Sequence, residues 1–281
     1  MYIVEVVGVP GSGKSTLCAQ LAAVNSRRRV APISFLLPDQ LIIRSISERS
    51  RTKSCVRRAT KRLVSKILEH KHTSLLSGRA YASAIDVYGK EYSKEWSTLL
   101  NGYRSTVLSH GVEVSTFDLY WLLKAFAVVC AVWETNKAVD LRQPTLLLHD
   151  EGFGQRMLGL GRKGLAREQV RELSRKLPVP DLLLKVECNE AISLERFRKR
   201  EFLRGGLLTS EREILAYQRG HRDVLENYQA DIEALGVPTV TVDTSKTNTT
   251  QAVAMVCSQF RRFIDENVEP KYVKVRGSRV R

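Results

Sequence analysis

Eight residues near the start of the chain constrain its fold more than any other feature. Gly8-Val9-Pro10-Gly11-Ser12-Gly13-Lys14-Ser15 satisfies the pattern G-x-x-x-x-G-K-[ST] in full. Each position has a physical role. Glycines let consecutive backbone N–H groups turn inward around a phosphate, the lysine reaches the β- and γ-phosphates, and the serine hydroxyl ligates Mg²⁺. The flanking residues suit this reading. Tyr2 to Val7 (YIVEVV) is an apolar, β-branched run with one charge, Glu5, as in a strand buried on both faces. From Ser15 to about Asn25, Leu17, Cys18, Leu21 and Ala22 fall on one helical side. A helix starting at Ser15 points its positive dipole end at the same phosphates. The expected phosphate-binding residues are therefore Gly8, Pro10, Gly11, Ser12, Gly13, Lys14, Ser15 and Thr16, with Ser15 on the metal.

Strand-like and helix-like patterns alternate along the rest of the chain. Further strand candidates are Pro32 to Leu37, Thr145 to His149, Asp181 to Val186 and Pro238 to Val242. Between them run helical patterns. Val56, Ala59, Leu63, Ile67 and Leu68 form a stripe with Arg57, Arg58, Lys61 and Arg62 outside it. Phe117 to Asn136 is mostly apolar, and Arg162 to Lys176 is charged and amphipathic. Ser210 with Glu213 is a capping box opening a helix that carries Ile214, Tyr217, His221, Val224 and Tyr228, stopped by Gly236 and Pro238. Thr250 to Glu266 is the last helix, before a basic tail at 268–281. The alternation predicts an α/β fold with a five-stranded parallel sheet covered on both faces. Residues 45–140 are too many for one crossover and read as a helical insertion within a single domain spanning 1–281.

Composition narrows the partners. Lys plus Arg number 45 against 30 Asp plus Glu, a formal net charge of +15. Such an excess attracts nucleic acid, anionic membrane or phosphorylated small molecules. The charge is spread over Arg27–Arg29, residues 51–62, 196–204 and the tail, with no aromatic-interleaved patch of the kind that stacks single strands. An apolar content of 43% excludes disorder as the main state. The five cysteines include no close pair and no CxxC, which argues against a disulfide framework or thiolate zinc site and for a reducing, cytoplasmic setting. Neither His nor Cys shows metal-ligand spacing. The start, MYIVEVV, lacks the basic leader of a signal peptide. The longest apolar stretch, Leu119 to Trp133, contains Lys124 and falls short of the about 20 residues of a membrane span.

Acidic and basic residues then fall where chemistry needs them. Asp150 and Glu151 follow the third strand candidate, at the carboxyl end where open α/β sheets place ligands. One can hold Mg²⁺ while the other orients or accepts an acceptor hydroxyl proton. His149 beside them reads as a packed residue. Arg196 and Arg200 are one helical turn apart beside an Ala191, Leu194, Phe197 stripe, and Arg204 precedes Gly205-Gly206. Guanidinium groups on a glycine-hinged lid over 196–210 are suited to phosphate.

Several of these pieces resemble the P-loop nucleoside and nucleotide kinases, the thymidylate kinase and deoxynucleoside kinase group. The motif begins at residue 8, so the phosphate-loop strand comes first. LLLHDEG at 146–152 is similar to the family's acidic strand end. PDLLLKVECNEAISLERFRKR at 180–200 resembles the strand and arginine-bearing helix that lead into the lid. Residues 210–230 resemble the helix beyond it, and VTVDTS at 240–245 the final strand and its loop. The likeness covers 1–30 and 144–265. It departs at Glu151-Gly152, where the family carries an arginine after its acid, and Arg156 is the nearest substitute. The 45–140 insertion corresponds to no acceptor-binding segment, although Asp39 sits where related kinases keep acceptor residues.

The resemblance implies a P-loop NTPase three-layer sandwich that uses ATP and Mg²⁺ to phosphorylate a small acceptor, foremost a nucleoside or nucleotide. Lys14, Asp150, Glu151 and Arg200 are the implied catalytic residues. Arg196 and Arg204 would join the donor site, and Ser15 with Asp150 would hold the metal. Two rival readings stand beside it. One is a polynucleotide-acting kinase or ATPase, revealed by steep salt dependence. The other is a non-catalytic ATP-binding module, revealed by binding without transfer. A homodimer is compatible with all three readings. The chain has no N-K-x-D guanine motif, which disfavours a GTPase.

Overall fold

A strand apolar on both faces is stable only in the middle of a covered sheet, and β1 (Tyr2–Val7), buried at every position, lies there. The computed structural model describes residues 1–27, 33–50, 74–108, 116–138, 144–150, 152–155, 157, 166–203 and 210–267. The other strands are β2 (Ser34–Leu36), β3 (Thr145–His149), β4 (Leu182–Glu187) and β5 (Thr239–Asp243). They form one sheet in the order β2-β3-β1-β4-β5, and every pairing is parallel. All five strand candidates from the sequence are present. The second ends at Leu36 rather than Leu37, because Pro38 starts a helix directly after Leu37.

Helices α1 (Lys14–Arg27) and α9 (Thr249–Glu266) cover one face of the sheet. Leu17, Leu21, Val256 and Phe260 meet Val4, Val6, Leu146 and Leu184 there, all essentially without exposure. The opposite face carries α2 (Pro38–Ser50), α3 (Ser74–Glu91), α4 (Ser93–Leu108), α5 (Thr116–Ala138), α6 (Arg167–Lys176) and α8 (Glu211–Glu233). Ile3, Val7, Leu147 and Leu183 point into that second core. The apolar stretch of the sequence becomes the buried heart of α5, with Leu122 and Ala125 through Val132 each at most 2% exposed. Among the described residues no helix is long and apolar enough to cross a membrane.

Helix α7 (Glu190–Leu203) follows β4, and the segment at 204–209 that joins it to α8 lies outside the described residues. The capping box at the start of α8 forms in both directions. Ser210 Oγ accepts the Glu213 N–H at 3.2 Å, and the Glu213 carboxylate accepts the Ser210 N–H at 3.1 Å. Gly236, in the left-handed region at φ 81°, closes the far end. The stripe with Arg57, Arg58, Lys61 and Arg62, and the tail at 268–281, lie outside the described residues.

Candidate functional site: the carboxyl edge of the sheet

The carboxyl ends of β1, β3, β4 and β5 bring four loops together. After β1, the glycine-rich turn needs its glycines for two reasons. Gly11 and Gly13 have φ near 90°, where other residues are strained. A Cβ on Gly11 would also stand 2.3 Å from the carbonyl oxygen of Ser193, on α7. The turn closes with the Ser12 N–H donating to Val9 O at 3.1 Å, and α1 continues with Leu17 N–H donating to Gly13 O at 2.9 Å. No acidic side chain occupies the first turn of α1, so the positive end of the helix dipole is left uncompensated within it. Ser15 and Thr16 are exposed there.

Two side chains from this loop face the loop after β3. Lys14 Nζ donates to the carbonyl oxygens of Gly8 at 2.5 Å and Val9 at 3.2 Å. Ser15 Oγ donates to Asp150 Oδ2 at 3.4 Å across 135 residues of sequence. Burial pushes the Asp150 carboxyl above its ordinary value, opposed by the Lys14 ammonium and the hydrogen bond from Ser15. A hydroxyl and a carboxylate oxygen form a hard donor pair, and Mg²⁺ is bound by one or two such groups together with phosphate oxygens. The residues therefore fit Mg²⁺ held with a nucleotide. Among the described residues no three or more His, Cys, Asp or Glu side chains group in a way that could hold a metal ion by themselves.

Residues that the sequence did not single out brace the loop from outside. Gln218, in α8 and 1% exposed, donates its Nε2 hydrogen to the carbonyl oxygen of Pro10 at 2.9 Å. Ser193 Oγ donates to Glu190 O at 3.0 Å and lies 3.4 Å from Gln218 Oε1. On the other side, Thr244, just after β5, donates its hydroxyl to Ser12 O at 2.7 Å. Arg196 reaches over from α7 to that threonine, with Nη1 3.2 Å from Thr244 Oγ1. Its guanidinium thus borders the loop beside Gly13. Pro10, expected among the phosphate-binding residues, accepts the hydrogen bond from Gln218 at its carbonyl. Arg200 belongs to α7, and its side chain is outside the described residues, as are Glu151, Arg156 and Arg204 entirely.

A second group of side chains lies beside Asp150 on the β2 side. Asp39 is exposed in the first turn of α2. Tyr81 of α3 is 1% exposed, and burial, then Asp39, then Asp150 hold its phenol well above its ordinary pKa. Asp39 is close enough to perturb this phenol without the geometry of a direct hydrogen bond. Lys124 of α5 places its ammonium 4.2 Å from the Tyr81 ring centroid and 4.4 Å from that of Trp121. The aromatic residues of this group are spaced too irregularly in sequence for a motif, and only helix packing brings them together.

No protein-family model matches the chain, and no curated protein matches it. The chemical reading therefore rests on the site.

Proposed function

We propose that the chain is an ATP- and Mg²⁺-dependent phosphotransferase of the P-loop nucleotide-kinase type, acting on a small acceptor, foremost a nucleoside or nucleotide. The observation that carries this reading is the approach of Ser15 and Asp150 to 3.4 Å at the end of a loop with the full phosphate-binding pattern. Lys14 would exchange the carbonyls of Gly8 and Val9 for phosphate oxygens, and the N–H groups at the start of α1 would face the same anion. Bound Mg²⁺ would neutralise charge on the transferring phosphoryl group. Arg196 would add a guanidinium on the lid side. Asp39, Tyr81 and Lys124 supply the acceptor side, where a carboxylate and phenol suit a hydroxyl and an ammonium suits an anionic substituent.

The test has two arms. Lys14→Ala should keep the wild-type melting temperature within a few degrees, because the side chain meets loop carbonyls rather than core, yet lose the rise in melting temperature that Mg-ATP gives the wild type. Labelled γ-phosphate from ATP should then transfer to a member of a panel of nucleosides, nucleotides, sugars and short oligonucleotides. A wild-type protein that Mg-ATP does not stabilise refutes the reading. Stabilisation with no transfer to any acceptor favours the non-catalytic module.

A further inference from the structure

The loop that carries Asp150 is fastened from beneath by a buried carboxylate that the phosphate site does not use. Glu5 sits in the middle of β1, 3% exposed, and pairs in register with His149 of β3. Its Oε1 accepts the Gly154 N–H at 2.5 Å, and its Oε2 accepts the Tyr228 hydroxyl at 2.6 Å. Tyr228 is itself 2% exposed, on the same helix as Gln218. The two glycines after Asp150 are demanded by this contact. A Cβ on Gly152 would stand 2.4 Å from Glu5 Oε1, and one on Gly154 would stand 2.4 Å from the Tyr228 ring.

A carboxylate in a central strand is costly to bury, and an apolar side chain would pack there without that penalty. What Glu5 adds is position. It grips a main-chain N–H four residues beyond Asp150, and Tyr228 holds the other oxygen so that the carboxylate cannot rotate away. Both oxygens are held, by groups from two different elements, so the carboxyl is fixed at two points.

We propose that Glu5 and Tyr228 are positioning residues for Asp150. By pinning the turn after β3 onto β1, they hold the Asp150 carboxylate opposite the Ser15 hydroxyl. The proposal rests on the phosphotransferase reading for what Asp150 binds. Groups that orient a metal ligand are worth 10–100-fold in metal affinity or activity when removed. That scale sets the expectation.

Three variants test it: Glu5→Leu, Tyr228→Phe, and Glu5→Gln as the conservative rescue that keeps an acceptor for Gly154. Two readouts are needed. One is hydrogen exchange of the amides at 152–155 in the ligand-free protein. The other is the Mg²⁺ concentration at half-maximal melting shift with ATP fixed. Glu5→Leu should speed exchange at Gly154 and raise the Mg²⁺ midpoint about 10–100-fold. Its affinity for metal-free ATP should stay within about twofold of wild type, since the phosphate loop is untouched. Tyr228→Phe should move both readouts in the same direction by less, and Glu5→Gln should lie nearer to wild type than either. Tyr228→Phe removes a single oxygen and leaves the ring against Gly154, so it carries the test if Glu5→Leu does not fold. An unchanged Mg²⁺ midpoint in a folded Glu5→Leu or Tyr228→Phe protein overturns the proposal, whatever the exchange shows. A wild type with no Mg²⁺-dependent shift fails the phosphotransferase reading itself, which is a different result and removes the role assigned to Asp150.

Discussion

Replacing Gln218 by leucine isolates the brace between α8 and the glycine-rich loop after β1. Leucine has a similar volume and stays buried, so the change removes hydrogen bonds without opening a large cavity. Two contacts are lost, but they differ in weight. Ser193 keeps its other bond, to Glu190 O at 3.0 Å, and loses only a long contact of 3.4 Å. The carbonyl of Pro10 loses its 2.9 Å donor while remaining covered by α8. A buried acceptor left without a partner costs about 1–3 kcal/mol. At about 2–4 °C per kcal/mol for a domain somewhat smaller than this one, the melting temperature should fall by roughly 2–12 °C. Part of that cost reappears when nucleotide must order a loosened loop. If half of a mid-range loss does so, Mg-ATP affinity falls by about fivefold, since about 1.4 kcal/mol is tenfold. Thermal unfolding and calorimetric titration read both quantities, and Ser193→Ala should show a smaller version of each. A Gln218→Leu protein that melts within a degree of wild type and binds equally well would show that the loop holds its own shape.

Two further outcomes follow from the same site. Burial raises the folded-state pKa of Asp150, so the ligand-free wild type should lose stability as pH rises from the ordinary carboxylate value through the raised one, where the folded state holds its proton more tightly. Asp150→Asn does not titrate, so its stability relative to wild type should rise over that window and remain higher at neutral pH, while its Mg²⁺ response disappears. Denaturant titrations across pH would refute this if the stability of the variant relative to wild type does not rise over that window. Arg196→Ala should lower kcat by tens- to about a thousand-fold with ATP dissociation nearly unchanged, as for a guanidinium that acts on transition-state charge. Steady-state kinetics beside calorimetry would decide it, and a wild-type kcat would leave Arg196 as a clamp on Thr244 alone.

What the sequence revealed was whatever is written locally. The glycine-rich turn after β1, the apolar runs of the five strands and the Ser210–Glu213 cap are each written within a few residues, and the structure has a turn, strands and a cap at those places. The approach of Ser15 to Asp150 also followed, because the loop and helix after β1 and the residue after β3 meet at the carboxyl edge of one parallel sheet. Gln218, Ser193 and Tyr81 carry no comparable signal. Their roles arise from which helix lies over which loop, and a glutamine or tyrosine on an amphipathic helix reads as ordinary surface or core. Glu5 reads from the sequence only as a charge in a buried strand, although it carries a usable signal. A lone charge in a strand buried on both faces requires a partner, and the glycines at 152 and 154 mark where a backbone comes close enough to provide one. Pro38-Asp39 starts α2, but the same two residues can equally form a turn, and only packing of α2 separates the two outcomes.

The position of β1 has a consequence for how the chain is made. Its neighbours in the sheet are β3, which begins at Thr145, and β4, which begins at Leu182. At about 5–20 residues per second, a nascent chain displays the Tyr2–Val7 segment for on the order of ten seconds before either partner exists. A six-residue apolar strand left unpaired for that time is the kind of segment that joins other chains edge to edge. Glu5 is the only charge within it, and a charge inside such a window opposes that association. The carboxylate that clasps Gly154 in the folded protein is thus also the one charge that would oppose such association before β3 and β4 exist.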